Sequence, residues 1–275
     1  MKQLTINGIT YKLYKGGWIN NATPHLEQIL SKQESKQLLK EGGIFVRNIF
    51  DFDQTENRQF WFIVKDHFGG MEELSSRTRN KIRRSISTLR IEKISKQTML
   101  NEGYQVYLAA FDRYKNAKVL LNQSQFEELI YNCTEQTDFW GCFIKENGIL
   151  IATSINYLDT NFCEYATVKA NPIYLKYYYP FYGLFYTMNE YYLCERGLKY
   201  VSDGARSITE HSNIQDFLIH QFGFRKAYCN LQLVYSKWLM MIVKIVYPFR
   251  KIIPSQKVKW LLKFEEICRN QSQNN

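Results

Sequence analysis

The sequence predicts an α+β protein built on a mixed sheet with helices on its faces. Three observations predict it. Residues 139–169 hold three apolar runs separated by turn signals, Asn147-Gly148 and Asp159-Thr160-Asn161, which spells an antiparallel meander. Two stretches of helical spacing, 101–114 and 123–134, precede the meander, and helix and strand patterns alternate after it to residue 235. Hydrophobic residues make up 45% of the 275, enough to bury a sizeable core and too many for a disordered chain.

In chain order, residues 4–14 alternate and predict strands turned at Asn7-Gly8. Spacing through Leu26, Ile29, Leu30, Leu38 and Leu39 predicts a helix over 24–41, ended by Gly42-Gly43. Residues 44–52 and 60–64 read as strands. The helix expected over 71–89 buries Met71, Leu74, Ile82, Ile86 and Leu89, and covers its other faces with Arg77, Arg79, Lys81, Arg83 and Arg84. Residues 90–95 return as a strand. The meander strands fall at 139–146, 148–157 and 162–169. A helix over 179–196 closes at Gly197, followed by a strand at 199–202, a helix at 213–221 and a strand at 224–235. This order divides the chain into an N-terminal α/β subdomain (1–98), a core (99–235) and a basic amphipathic tail (236–275).

Lysine and arginine total 36 against 26 acidic residues, a formal charge of +10 that favours anionic partners: nucleic acid, anionic lipid or a phosphate-bearing donor. Six cysteines without a CxxC pair, and only four histidines, argue against a metal site. The cysteines sit in apolar runs, which predicts reduced thiols and a cytoplasmic compartment. The first residues lack an apolar signal core. The most apolar stretch, 238–247, contains Lys244 and stops at Pro248, so no spanning helix is expected.

Two sequence stretches carry a family resemblance. YVSDGARS (200–207) followed by NIQDFLIHQFGFR (213–225) resembles the late strand and next helix of GNAT-like acyltransferases, with Asn213 early in the helix and Gly223-Phe224 just after it. WFIV (61–64) followed by SSRTRNKIRR (75–84) is similar to the tryptophan strand and basic helix of Fem-like transferases and their polysaccharide-locus relatives. The resemblance implies a GNAT-like fold with a degenerate N-terminal GNAT-like half. It implies acyl transfer from acyl-coenzyme A to an amino sugar or a lipid-linked envelope-polysaccharide precursor. The alternatives are Fem-like aminoacyl transfer from tRNA and a scaffold without catalysis. One departure bears on the donor. The segment KANPIYLKYYYP (169–180) lacks the Gly-rich turn whose bare N–H groups grip a pyrophosphate, and no glycine follows until Gly183.

Acyl transfer needs a base for the nucleophile, a polarised carbonyl and aligned partners. Asp203 ends a strand and can face a cleft as the base, or it is a turn residue before Gly204. Arg206 and Ser207 follow on the same loop, where a guanidinium can clamp a phosphate or simply face solvent. His211 can act as a base near neutral pH or be an idle loop residue. His220 lies near the position of a tyrosine that many GNAT enzymes use as an acid, and packing is its simpler role. Asn213 either caps its own helix or contacts a cofactor. Strict alternation puts Tyr165 on one strand face with Thr167 and Lys169, a polar cleft wall, and Glu164 on the other. Tyr228 can present its hydroxyl to the cleft or pack. Lys169, Lys176, Tyr182 and Gly183 surround the expected donor phosphate. Arg79 and Arg83, one turn apart, can bind a phosphorylated acceptor, tRNA or a membrane, or form a solvated face.

In the tail, the apolar run 238–243 is expected to pack on the domain or in a dimer. The basic residues after it leave contact with anionic lipid, at the inner membrane face, open.

Overall fold

The computed structural model describes residues 2–20, 23–26, 28–55, 58–111, 120–206 and 213–273. The chain opens with β1 (Gln3–Ile6), β2 (Ile9–Tyr14), β3 (Gly17–Asn20), α1 (Lys32–Lys40), β4 (Phe45–Gln54) and β5 (Phe60–Lys65). Next come α2 (Ser76–Thr88), β6 (Leu89–Ile94), α3 (Lys96–Phe111) and α4 (Gln123–Tyr131). The meander is β7 (Thr137–Ile144), β8 (Leu150–Leu158) and β9 (Phe162–Ala170). It leads to α5 (Leu175–Tyr178), α6 (Pro180–Glu190), β10 (Tyr200–Ala205), α7 (Ile214–Phe222) and β11 (Arg225–Tyr235). The chain ends with α8 (Lys237–Val246) and α9 (Gln256–Gln273).

Side-chain caps set several helix starts. Ser31 Oγ accepts from the Glu34 N–H while Glu34 accepts from the Ser31 N–H, a reciprocal capping box. The helix expected from residue 24 therefore begins at Lys32. Asn122 and Gln125 make the same box for α4, and Ser75 caps α2.

The chain forms two compact units. The first gathers residues 1–62, 205–212 and 226–275. Its sheet runs β1-β2-β3-β4-β11, with β3 parallel to β4 and the other pairs antiparallel. Tyr11, Trp18, Leu38 and Val46 fill one core. Ile267 of α9 packs on Phe60, Cys229 and Leu231, and Leu262 on Leu239 and Val243 of α8. The tail is thus part of this unit rather than the separate segment expected from residue 236.

The second unit holds residues 63–204 and 213–225. Its sheet runs β10-β9-β8-β7-β6; β10 is parallel to β9 and the rest antiparallel. Both faces are covered, which is why β7 and β8 read as almost unbroken apolar runs. On one face Met99, Tyr107, Phe126 and Ile130 of α3 and α4 pack against Phe139 and Ile155. On the other, Trp140, Asn156 and Asp138 all hydrogen bond to the Tyr192 hydroxyl, at 2.9, 3.2 and 2.9 Å. Tyr192 lies in a π turn (Tyr191–Glu195) that ends α6.

The boundary expected at residue 98 falls inside α3. The basic helix α2 belongs to the second unit because α6 crosses it at close range. A Cβ on Gly183 would stand 2.3 Å from Ser85 Oγ and 2.4 Å from Ile91 Cδ1. Gly183→Ala is therefore expected to destabilise the fold by about 1–3 kcal/mol, read as a lower urea midpoint. Adding Ser85→Gly should recover part of the loss.

Candidate active site

Strands β9 and β10 run parallel through three residue pairs: Tyr200 with Phe162, Val201 with Cys163, and Ser202 with Glu164. The ladder stops there. On β9, Ala166 is an extra residue, since Asn156 faces Tyr165 while Ile155 faces Thr167. On β10, Gly204 has φ +82°, and a Cβ there would meet Glu164 Oε1 at 3.4 Å. Ser202 Oγ donates to the Ile63 carbonyl of β5 at 2.9 Å and accepts from the Gly204 N–H at 3.0 Å, on the side of β10 away from β9. The paired register of the two strands ends at this point.

Asp203 is the first residue of β10 beyond the last pair. It is half-buried. Burial first, and the negative charge of Glu164 second, push its carboxyl up to about 7. A carboxylate at that value is a proton acceptor poised for neutral pH.

The bulge also explains a correction. Residues paired across an antiparallel ladder share a face, so Tyr165 goes with Asn156 and Thr167 with Ile155, on opposite faces. Tyr165 is not on a polar cleft wall with Thr167 and Lys169. It is 2% exposed, its hydroxyl donates to Asn189 Oδ1 at 2.8 Å, and burial holds its phenol well above the usual range. It supports α6 from the core. Lys169 lies on the α3 side, with Nζ 5.1 Å from the Phe111 ring centre.

The expected donor-phosphate residues are only partly together. Gly183 is the buried crossing point of α6 on α2, so no phosphate reaches its backbone edge. The helix start is made by Tyr179, left-handed at φ +51°, and by Pro180 at the first position, which has no N–H to offer. Beside them Lys81 Nζ donates to the Tyr182 hydroxyl at 2.8 Å and sits 4.6 Å and 5.6 Å from the Tyr182 and Tyr179 ring centres. Among the described residues Lys81 has no carboxylate partner. Lys176 is exposed on α5.

Arg79 turns back on its own helix, donating to the Leu74 carbonyl at 3.1 Å and to Ser76 Oγ at 3.0 Å. Arg83 is exposed, with Asn80 Oδ1 at 3.5 Å. Asn213 stands at the N-cap of α7, but its side chain makes no capping bond. His220 Nδ1 lies 2.7 Å from the Asp216 carbonyl on the same helix. Ser207 and His211 lie outside the described residues.

In the first unit, Trp61 is a platform. The Arg206 guanidinium lies 4.1 Å and the Lys226 ammonium 4.3 Å from its ring centre, and Tyr228 meets it edge-on at 6.2 Å. The Arg206 N–H donates to the Trp61 carbonyl at 2.7 Å, and its side chain donates to the Gln59 carbonyl. Burial lowers the Arg206 pKa. The sequence reading found Arg206 and Tyr228 but not Trp61 or Lys226 as their partners. The available signal was Trp61 at the head of an apolar strand, an odd place for the largest side chain unless something stacks on it.

No protein-family model and no curated protein matches the sequence. Solved structures match in fold. The chain is similar to FemX, with TM-score 0.59, 10% identity and 86% of each chain covered. It is similar to the C-terminal DUF2156 domain of a putative lysylphosphatidylglycerol synthetase from Agrobacterium fabrum, with TM-score 0.54, 11% identity, and 86% of this chain and 84% of that one covered. L-PGS from Bacillus licheniformis matches with TM-score 0.53, 13% identity and coverage of 94% and 85%. The fold is α+β with mixed sheets, and it is similar to that of FemX.

The Asp203 environment has a consequence for stability. The folded carboxyl keeps its proton up to about pH 7, whereas an unfolded one releases it near 3.9. Between those values the native state holds more protons, so the contribution to stability is full below about pH 4 and is lost as pH rises through 7. Asp203→Asn removes the buried charge. It is expected to melt several degrees above the wild type at pH 8, with the gap closing toward pH 4, as scanning calorimetry would measure.

Proposed function

We propose that the protein is an acyl or aminoacyl transferase in which Asp203 takes the proton from an amine or hydroxyl nucleophile at the fork between β9 and β10. The observation that carries this is the position of a carboxyl raised to about 7 on the first unpaired residue of a parting parallel strand pair. The nucleophile attacks the donor's acyl carbonyl and loses its proton to Asp203. The carbon–oxygen or carbon–sulfur bond to the leaving group then breaks, and the leaving atom takes up the proton.

The donor we favour is an aminoacyl-tRNA. Four features support it: the absence of a glycine turn, a proline in place of the first free N–H of α6, the +10 charge, and the likeness in fold to FemX and to a domain named as a putative lysylphosphatidylglycerol synthetase. Acyl-coenzyme A is the other donor this fold suggests, and Lys81 beside Tyr182 is the cation that would meet its phosphates. The acceptor is an amine or hydroxyl on a phosphorylated or lipid-linked molecule.

Supplying each donor separately tests the reading. The aminoacyl-tRNA should support transfer that weakens steeply with added salt, and Asp203→Asn should lower kcat by about 100-fold to 10,000-fold. The wild-type rate should rise with pH through about 7. Glu164→Gln removes the charge that raises the Asp203 carboxyl, so it should move that limb to lower pH while leaving the plateau in place. A rate independent of both substitutions would end the proposal.

A further inference from the structure

The helix α8 is apolar on two faces. Leu239 and Val243 are buried against Leu262 of α9. The other face is bare. Trp238, Met241, Ile242 and Ile245, spaced i, i+3, i+4 and i+7, form one exposed stripe. Phe249 and Ile252 extend it through the next turn, and Trp238, Ile245 and Ile252 are 51%, 69% and 77% exposed. The apolar run was expected to pack on the domain or in a dimer; Leu239 and Val243 do pack on the domain, and a helix can seat only one of its two apolar sides on a single neighbour.

The charges around the stripe have one sign. Lys237 and Lys244 border it, seven residues apart and so on one edge of the helix, and both are exposed. Lys251 and Lys259 stand past its far end, also exposed, and among the described residues none of these four lysines makes an ion pair. No Asp or Glu occurs from residue 236 to residue 264. At that far end Arg250, Lys251, Lys259, Lys263 and Glu266 line an open cleft of about 260 Å³. Glu266 meets Arg250 and Lys263, which leaves Lys251 and Lys259 for an incoming anion.

We propose that the face from Trp238 to Ile252 docks on an anionic lipid surface, lying in its plane, with the basic cleft taking a lipid phosphate. The occupant must be apolar under the ridge and negative around it. A bilayer with anionic headgroups is both, and its acyl boundary admits a convex helix ridge, which a globular partner would have to receive in a groove. Tryptophan at one end and lysines that reach outward along the edges are the side chains such a boundary accommodates. No helix among the described residues is long and apolar enough to cross a membrane, so the contact is with the surface. The proposal does not depend on the transferase reading.

Sedimentation of the full chain with lipid vesicles tests it. Vesicles of phosphatidylcholine with phosphatidylglycerol should carry the protein down, and vesicles of phosphatidylcholine alone should not. Ile245→Asp should weaken binding about 10-fold to 100-fold at an unchanged melting temperature, since the side chain is exposed. Lys251→Glu with Lys259→Glu should weaken it and flatten its salt dependence. Asp203→Asn should bind as the wild type, which separates this result from any failure of the catalytic reading. The proposal is overturned if the wild type stays in solution with both vesicles, or if Ile245→Asp binds undiminished. A lipid-free dimer that Ile245→Asp dissolves would likewise overturn it, by assigning the stripe to a second copy of the chain.

Discussion

The β9–β10 ladder ends at Ser202 and Glu164, and the position of Asp203 follows from that end. Parallel strands normally continue to pair until one of them turns away. Here both leave the register at once, β9 through the extra residue Ala166 and β10 through the left-handed Gly204. On the opposite side of β10, toward β5, Ser202 gives its hydroxyl to Ile63 and accepts from Gly204, so these two backbone groups keep partners.

The electrostatics of the fork work against stability. A half-buried carboxyl beside a second carboxylate costs free energy whenever both are ionised, and Asp203 and Glu164 have that relation. The proposed role of Asp203 as a base uses this penalty, whereas a turn needs only the Asp-Gly pair and no burial. Lys81 lies over the Tyr182 ring in the second unit, and in the first unit Arg206 and Lys226 lie over Trp61.

Much of the fold was legible. The meander follows from its turn residues and apolar runs, and the α+β class follows from the order of elements. What was not legible has physical reasons. A single bulge at Ala166 reverses the face of Tyr165 relative to Thr167, and alternation alone cannot reveal it. Gly183 resembled a backbone window for phosphate, yet the close crossing of two helices needs a glycine just as firmly. The unit boundaries are discontinuous in sequence, with the tail returning to pack against Phe60 and Leu231, and no local pattern records a partner so far along the chain. Asp203 was expected to end its strand, whereas β10 runs on to Ala205, and its environment was not legible, since that depends on where Glu164 comes to lie. In the tail the sequence showed apolar and basic residues together, while which apolar side found a partner is set only by α9.

The most direct measurement is a carbon-13 NMR titration of the aspartate carboxyls, with the Asp203 signal assigned by its loss in Asp203→Asn. The account requires that carboxyl to titrate near 7 and to fall when Glu164 is replaced by glutamine. A midpoint near 4, unmoved by the Glu164 substitution, would contradict it.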